Sequence, residues 1–172
     1  MSLILRYLYS ILKALFSPPL QPLDEGVIQL RVWPFDLDPN LHLNNGRFLS
    51  LMDLGRMDLV VRCGLGKQLW KHGWRPLVGS AVIRYKGSLE PFQTFELKSR
   101  IVGWDEKWFF IEQRFVRQGR TVAVGAIKGL FRGRKGNVPS AEVVAATGVE
   151  VTSPGLPLWL ATWHQADGQL EL

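Results

Sequence analysis

Cysteine is almost missing from this chain: Cys63 is its only representative. One thiol can form neither an intramolecular disulfide nor a CxxC-type metal site, so a reducing compartment is the default. Within VVRCGLG it reads as a buried structural thiol rather than a nucleophile. Long apolar runs are missing too. The most apolar stretch, in residues 1–20, extends roughly 15 residues and is interrupted by Arg6 and Lys13, short of the roughly 20 that a spanning helix needs. It carries no small-x-small cleavage site, which argues against a cleaved signal peptide. Zinc-finger spacings and Gly-rich aromatic strands of the RNA-recognition type are absent, so no nucleic-acid partner is expected. No internal repeat or low-complexity run occurs.

What is present suits one globular domain. The chain has 172 residues, 47% of them hydrophobic, enough to bury a proper core. Lys and Arg number 21 against 15 Asp and Glu, a net charge of +6 that points to anionic partners such as phosphorylated small molecules or a membrane surface. The one basic cluster, FRGRKGN at 131–137, reads as a solvated hairpin end.

The first twenty residues, MSLILRYLYSILKALFSPPL, place Arg6, Ser10, Lys13 and Ser17 on one helical stripe and apolar residues elsewhere. Two readings stay open: a helix lying in a membrane interface, or one docked on the body of the protein or on a partner. SPPLQP then ends the helix and serves as a short stiff linker. From residue 26 the period changes. VIQLRVW alternates as a strand, and GRFLSLMDLGRMDLVVRCG reads as a largely buried helix with Phe48, Met52, Gly55 and Leu59 on one face and Gly64 ending it. VGSAVIRYKGSL, TFELKSRIV, WFFIEQRFVR and TVAVGAIKGLFRG read as four antiparallel strands that short hairpin loops make sheet neighbours, Gln118-Gly119 forming the tightest. The tail predicts a short helix presenting Trp159 and Trp163. The expected organisation is an amphipathic helix and linker at 1–20, an α+β domain at 21–140 with the sheet wrapped around one long helix, and a C-terminal extension at 141–172.

The polar turn PFDLDPNLHLNNGRF, Pro34 to Phe48, precedes that helix. Its Asp38, Asn40 and His42 alternate, and in an extended segment alternate side chains point the same way. A carboxylate acts as general base or nucleophile, an amide orients water, and an imidazole relays a proton. The N–H groups of a helix start stabilise an oxyanion. This inventory suits a thioester, whose thiol of pKa near 8.5 leaves without a strong general acid. Structural alternatives stand beside it: Asn44 or Asn45 as the helix N-cap, Asp36 as an Asx-turn residue, NNG as a hairpin turn.

The spaced residues Asp38, Asn40, His42, Asn44 and Asn45 resemble the loop of the plant acyl-carrier-protein thioesterases. Bacterial enzymes related to 4-hydroxybenzoyl-CoA thioesterase carry a similar aspartate before their central helix. Through RCG, LEPFQTFEL and GWDEKWFFIEQRFV the likeness extends to proteins of the thioesterase superfamily member 6 type, over residues 26–135. The resemblance implies a hotdog fold and an acyl-CoA or acyl-carrier thioester hydrolase of fatty acid metabolism, with no cofactor or metal. It further implies a homodimer or dimer of dimers with sites at the subunit interface. It assigns Asp38 as base or nucleophile, Asn40 and His42 as assistants, and Asp53 as the acidic residue on the helix. Asn44, Asn45, Gly46 and Phe48 are assigned to substrate binding near the helix start. Asp53 replaces the commoner glutamate, Phe48 the commoner tyrosine, and Pro39 stiffens the loop. Arg84, Lys86, Arg132 and Arg134 are candidates to meet CoA phosphates. The alternative function is a non-catalytic acyl-thioester-binding or membrane-associated scaffold. A hotdog hydratase lacks support, because no His–Phe–Pro–Gly type loop occurs. Asp53 and Arg56 also read as an exposed i,i+3 pair. The expected location is cytoplasmic, peripheral at a membrane if residues 1–18 are interfacial.

Overall fold

The computed structural model describes residues 3–170. Helix α1 (Leu3–Leu15) leads to strand β1 (Gly26–Arg31), a 3-10 turn at Pro34–Asp36, and the long helix α2 (Asn45–Arg62). Helix α3 (Leu65–His72) and strands β2 (Arg75–Tyr85), β3 (Thr94–Trp104), β4 (Phe109–Arg117) and β5 (Arg120–Gly133) follow. Strand β6 (Gly136–Val138) and helices α4 (Ser140–Ala145) and α5 (Leu158–Asp167) complete the chain. Every strand pair is antiparallel, in the order β1-β3-β4-β5-β2, with β6 pairing the end of β5.

The sheet wraps α2 because both carry complementary apolar faces. Phe48, Leu51, Met52 and Leu54 of the helix share one core with Phe95, Leu97, Phe115, Ala123 and Ile127 of the strands. Gly55 lets the backbones close up: a Cβ there would lie 2.8 Å from Gln113 Nε2 and inside the contact radius of Ser99 Oγ. This is the hotdog arrangement. Gln118 and Gly119, at φ of 50° and 75°, close the β4–β5 hairpin. Gly64, at φ 76°, ends the α2 segment as the sequence suggests and opens α3, which the strand and helix periods do not announce.

Strand β2 departs from expectation. It does not neighbour β3 but crosses to the far edge of the sheet beside β5. The connection 86–93 offers no two-residue hairpin turn. It carries Leu89 into the core instead, where its carbonyl accepts the Leu43 N–H at 2.8 Å.

Helix α5 covers the outer face of the sheet, with Leu160 and Trp163 against Val102, Phe110 and Ala126; Trp159 is exposed. Asp167 ties α5 down by accepting from Lys128 and from the Ser80 hydroxyl at 2.5 Å, and those hydrogen bonds hold its carboxyl below the usual carboxylate range. Helix α1 packs on α2 and buries Arg6, Ser10 and Ala14. Its polar stripe thus faces inward and its apolar stripe outward. Among the described residues no helix is long and apolar enough to cross a membrane.

Candidate active site

The loop before α2 is a turn, not the extended segment that its alternation suggests. Leu37 bridges Leu43 antiparallel, the Asp38 N–H donates to the His42 carbonyl at 2.8 Å, and the Leu41 N–H donates to the Asp38 carbonyl at 3.0 Å. Pro39 presets the first corner, and Leu41 takes a left-handed φ of 60°. A branched residue there costs of order 1–3 kcal/mol, a strain that clusters at functional loops. Asp38 Oδ1 accepts the Asn40 N–H at 2.9 Å and the His42 N–H at 3.2 Å. One carboxylate oxygen is therefore fixed by backbone, and the other has no donor among the described residues. The three side chains do not converge through strand alternation. The Asn40 amide and the His42 imidazole form no hydrogen bond among the described residues.

Asp36 anchors this turn from below. It is buried, and rather than making a forward Asx turn its Oδ2 accepts the Trp33 N–H at 2.9 Å and Arg6 Nη2 at 2.6 Å. Its carbonyl accepts the Asn44 N–H at 2.8 Å, which sets the start of α2. Asn44 is the N-cap, its side chain accepting the Gly46 N–H at 2.8 Å. Asn44 and the Gly46 N–H are thereby committed to the helix end rather than to a substrate. The Asn45 N–H has no partner among the described residues and remains as the donor at the helix start. Phe48 is 2% exposed and meets the Phe115 and Tyr85 rings edge-on at 4.8 and 5.1 Å. It is a core strut, not a surface that a substrate reaches.

Asp53 stands eight residues further along α2, about 12 Å from Asn45 at 1.5 Å per residue. It pairs with Arg56, whose Nη1 donates to Gln113 Oε1 at 3.0 Å. The wholly buried Gln113 in turn donates to the Met52 carbonyl at 2.9 Å and to Ser99 Oγ at 2.8 Å. Burial pulls the Arg56 guanidinium below its ordinary value, opposed by Asp53. Burial, and then the Asp53 charge, push the Tyr7 hydroxyl up. These three polar residues edge an apolar pocket of about 170 Å³ lined by Leu77, Phe109, Ile111, Ile127 and Phe131.

The same two strands continue into a cationic groove. Arg75 and Arg132 are register partners on β2 and β5, one position beyond Pro76 and Phe131, which line the apolar pocket. With Arg134, Trp70 and Trp74 they border a groove of about 690 Å³. None of the three arginines forms an ion pair among the described residues, and Trp70 is 91% exposed. The sequence points to Arg132 and Arg134 but not to Arg75, Trp70, Tyr7 or the Arg56–Gln113 link. The pairing of β2 with β5 sets Arg75 beside Arg132, and the packing of α1 and α2 on the sheet supplies the rest. Arg84 and Lys86 do not line this groove.

The model of the thioesterase-like superfamily matches residues 32–160. The chain belongs to that superfamily. Protein THEM6 of Xenopus laevis is 33% identical over 154 residues, covering 89% of this chain and 74% of that one. Protein THEM6 of Danio rerio is 41% identical over 113 residues, 65% of this chain and 56% of that one, so the matched region spans between about half and three quarters of these relatives. Among solved structures, a gentisyl-coenzyme A thioesterase superposes with a TM-score of 0.64 at 21% identity, over 70% of this chain and 99% of that one. At that identity the likeness establishes the hotdog fold alone. The superfamily match takes in the Asp38 turn, α2, the groove and the pocket lining apart from Tyr7, whereas α1 lies outside it.

Proposed function

We propose that this member of the thioesterase-like superfamily hydrolyses acyl-CoA thioesters. The observation that carries the reading is an apolar pocket edged by Asp53, with the three-arginine groove bordered by the next residues of the same strands, β2 and β5. A short acyl group suits the pocket. The CoA phosphates suit Arg75, Arg132 and Arg134, whose forked donors match phosphate oxygens, and the adenine suits the face of Trp70.

In this reading the free oxygen of Asp38 acts as base toward water or as nucleophile toward the thioester carbonyl. The Asn45 N–H, at the positive end of α2, polarises that carbonyl. Asn40 and His42 orient water beside it. The thiolate then leaves unaided. Asn45 and Asp53 are too far apart on one helix to serve the same carbonyl. A homodimer resolves this: the eleven-residue strand β2 is a long exposed sheet edge that invites pairing. In this reading two copies pair through β2, and one copy's turn serves the other's pocket.

The test is thiol release from a panel of acyl-CoAs. Asp38→Asn should lower kcat on the order of a thousandfold, the scale of a lost nucleophile or base. Arg132→Glu should raise KM for acyl-CoA and leave acyl-pantetheine turnover unchanged. Wild-type kinetics in Asp38→Asn would sink the assignment, and equal effects of Arg132→Glu on both substrates would remove CoA from it.

A further inference from the structure

Helix α1 is seated with its amphipathic pattern inverted. It buries Arg6, Ser10 and Ala14 against the domain, while Ile4, Leu8, Tyr9, Leu12, Leu15 and the adjoining Phe16 are all exposed. At about 100° per residue, those six fall within an arc of about 140°. A contiguous apolar strip of this kind marks an interaction surface. Thirteen helical residues rise only about 20 Å, too little to cross a bilayer and enough to lie along one.

Charge beside the strip identifies what covers it. A groove of about 280 Å³ separates α1 from strand β1, and Arg6, Tyr9, Lys13, Arg31 and Trp33 line it. Lys13 and Arg31 are exposed and form no ion pair among the described residues. Arg6 is buried, bonded to Asp36 through Nη2, and its Nε and Nη1 have no hydrogen-bond partner among the described residues. The acidic residue in the groove, Asp58, is occupied by Arg62 at 3.1 Å. The groove therefore holds two cations without an ion pair among the described residues, Lys13 and Arg31, beside Arg6 and the Arg62-bonded Asp58, and opens at the edge of an apolar strip on a chain of net charge +6.

We propose that α1 seats the protein on an anionic lipid bilayer, its apolar side chains below the phosphate plane and one lipid headgroup phosphate in the groove between α1 and β1. Aliphatic side chains, flanking Tyr and Trp, and unpaired cations are the combination that an interfacial helix uses. A second copy of the chain would cover the strip but bring its own uncompensated cations. The proposal is independent of the thioester chemistry. Through the Arg6–Asp36 pair, however, the seat grips the turn that holds Asp38.

The experiment is co-sedimentation of the full chain with vesicles of phosphatidylcholine, alone or mixed with phosphatidylserine. The wild type should sediment with the anionic vesicles and release as salt rises. Leu8→Asp/Leu12→Asp, both on the outward face, should keep the urea midpoint and lower the partition coefficient about a hundredfold. Lys13→Glu/Arg31→Glu should lower it about tenfold on anionic vesicles alone. No sedimentation of the wild type, equal binding to both vesicle types, or wild-type binding by Leu8→Asp/Leu12→Asp would each overturn the proposal. So would a dimer that Leu8→Asp/Leu12→Asp splits while the wild type ignores vesicles, since the strip would then belong to a second copy.

Discussion

Replacing Asp36 by alanine removes the one counter-charge bonded to Arg6 among the described residues. Both side chains are nearly sealed from solvent, at 4% and 6% exposure, so water cannot rescue the orphaned guanidinium. Breaking a buried pair from one side costs about 3–5 kcal/mol. Among the described residues Arg6 already lacks partners for Nε and Nη1, and Trp33 would lose the acceptor of its N–H as well. For a chain of 172 residues, about 2–4 °C per kcal/mol turns this into a Tm drop of roughly 6–20 °C. The cost has a ceiling, because α1 can lift off and take Arg6 into water. Urea unfolding followed by tryptophan fluorescence should therefore be paired with hydrogen exchange of the α1 amides. Either the midpoint falls by the full amount, or α1 loses protection while the domain holds. Arg6→Leu should cost less, since Asp36 keeps the Trp33 N–H and has Arg47 at 3.9 Å. The double variant, Arg6→Leu/Asp36→Ala, should recover much of the single Asp36→Ala loss, because no charge is left buried. An Asp36→Ala midpoint within about 1 kcal/mol of wild type, with α1 protection intact, would refute the reasoning.

Gly55→Ala should lower the unfolding midpoint by about 1–3 kcal/mol despite the better helix propensity of alanine, as its Cβ would meet Gln113 Nε2 at 2.8 Å and Leu97 Cδ2 at 3.0 Å. Adding Ser99→Ala should restore part of the loss; a midpoint at or above wild type in Gly55→Ala would contradict the close approach. Burial pushes the Cys63 thiol up to about 11, so labelling by a disulfide reagent at pH 8 should run on the order of a hundredfold slower than for a free thiol of pKa near 8.5, and become fast in urea. Because the folded thiol keeps its proton where the unfolded one has lost it, stability falls as pH rises from about 8.5 toward 11; rapid native labelling at pH 8 would show the thiol to be accessible.

The elements that the sequence announced are those whose periods are local. Helix α2 declares itself by its apolar face and its Asn44 cap, and the β4–β5 hairpin by Gln118-Gly119. Strand β2 was legible as a strand but not as the edge beside β5, because that pairing joins residues such as Arg75 and Arg132 across 57 positions. The same distance hid the pocket and the cationic groove. In the turn, alternation of Asp38, Asn40 and His42 was a true feature of the sequence with a misleading consequence. Pro39 and a left-handed Leu41 bend the segment, so the donors around Asp38 are backbone N–H groups rather than neighbouring side chains. Neither did spacing reveal that Asp36 is the buried carboxylate of the loop, since its cation comes from a helix 30 residues earlier.

Helix α1 poses the harder physical question, because periodicity reports two unlike faces and never which one turns inward. Fully burying a large apolar side chain is worth about 1.5–3 kcal/mol, so six outward ones forgo on the order of 10 kcal/mol. The Arg6–Asp36 pair cannot offset that, since the net worth of a buried ion pair is near zero. The orientation must then come from the surface that receives the helix. That surface presents two buried carboxylates, Asp36 and Asp58, the second pushed up by burial and countered by Arg62 and Lys13. Turning α1 over would press leucines onto both carboxylates and take Arg6 from Asp36 and the Lys13 charge from Asp58, leaving two carboxylates under apolar cover with fewer partners. The domain thus selects the polar face and rejects the apolar one, and the energy forgone on the outside is recovered only where something apolar meets that face.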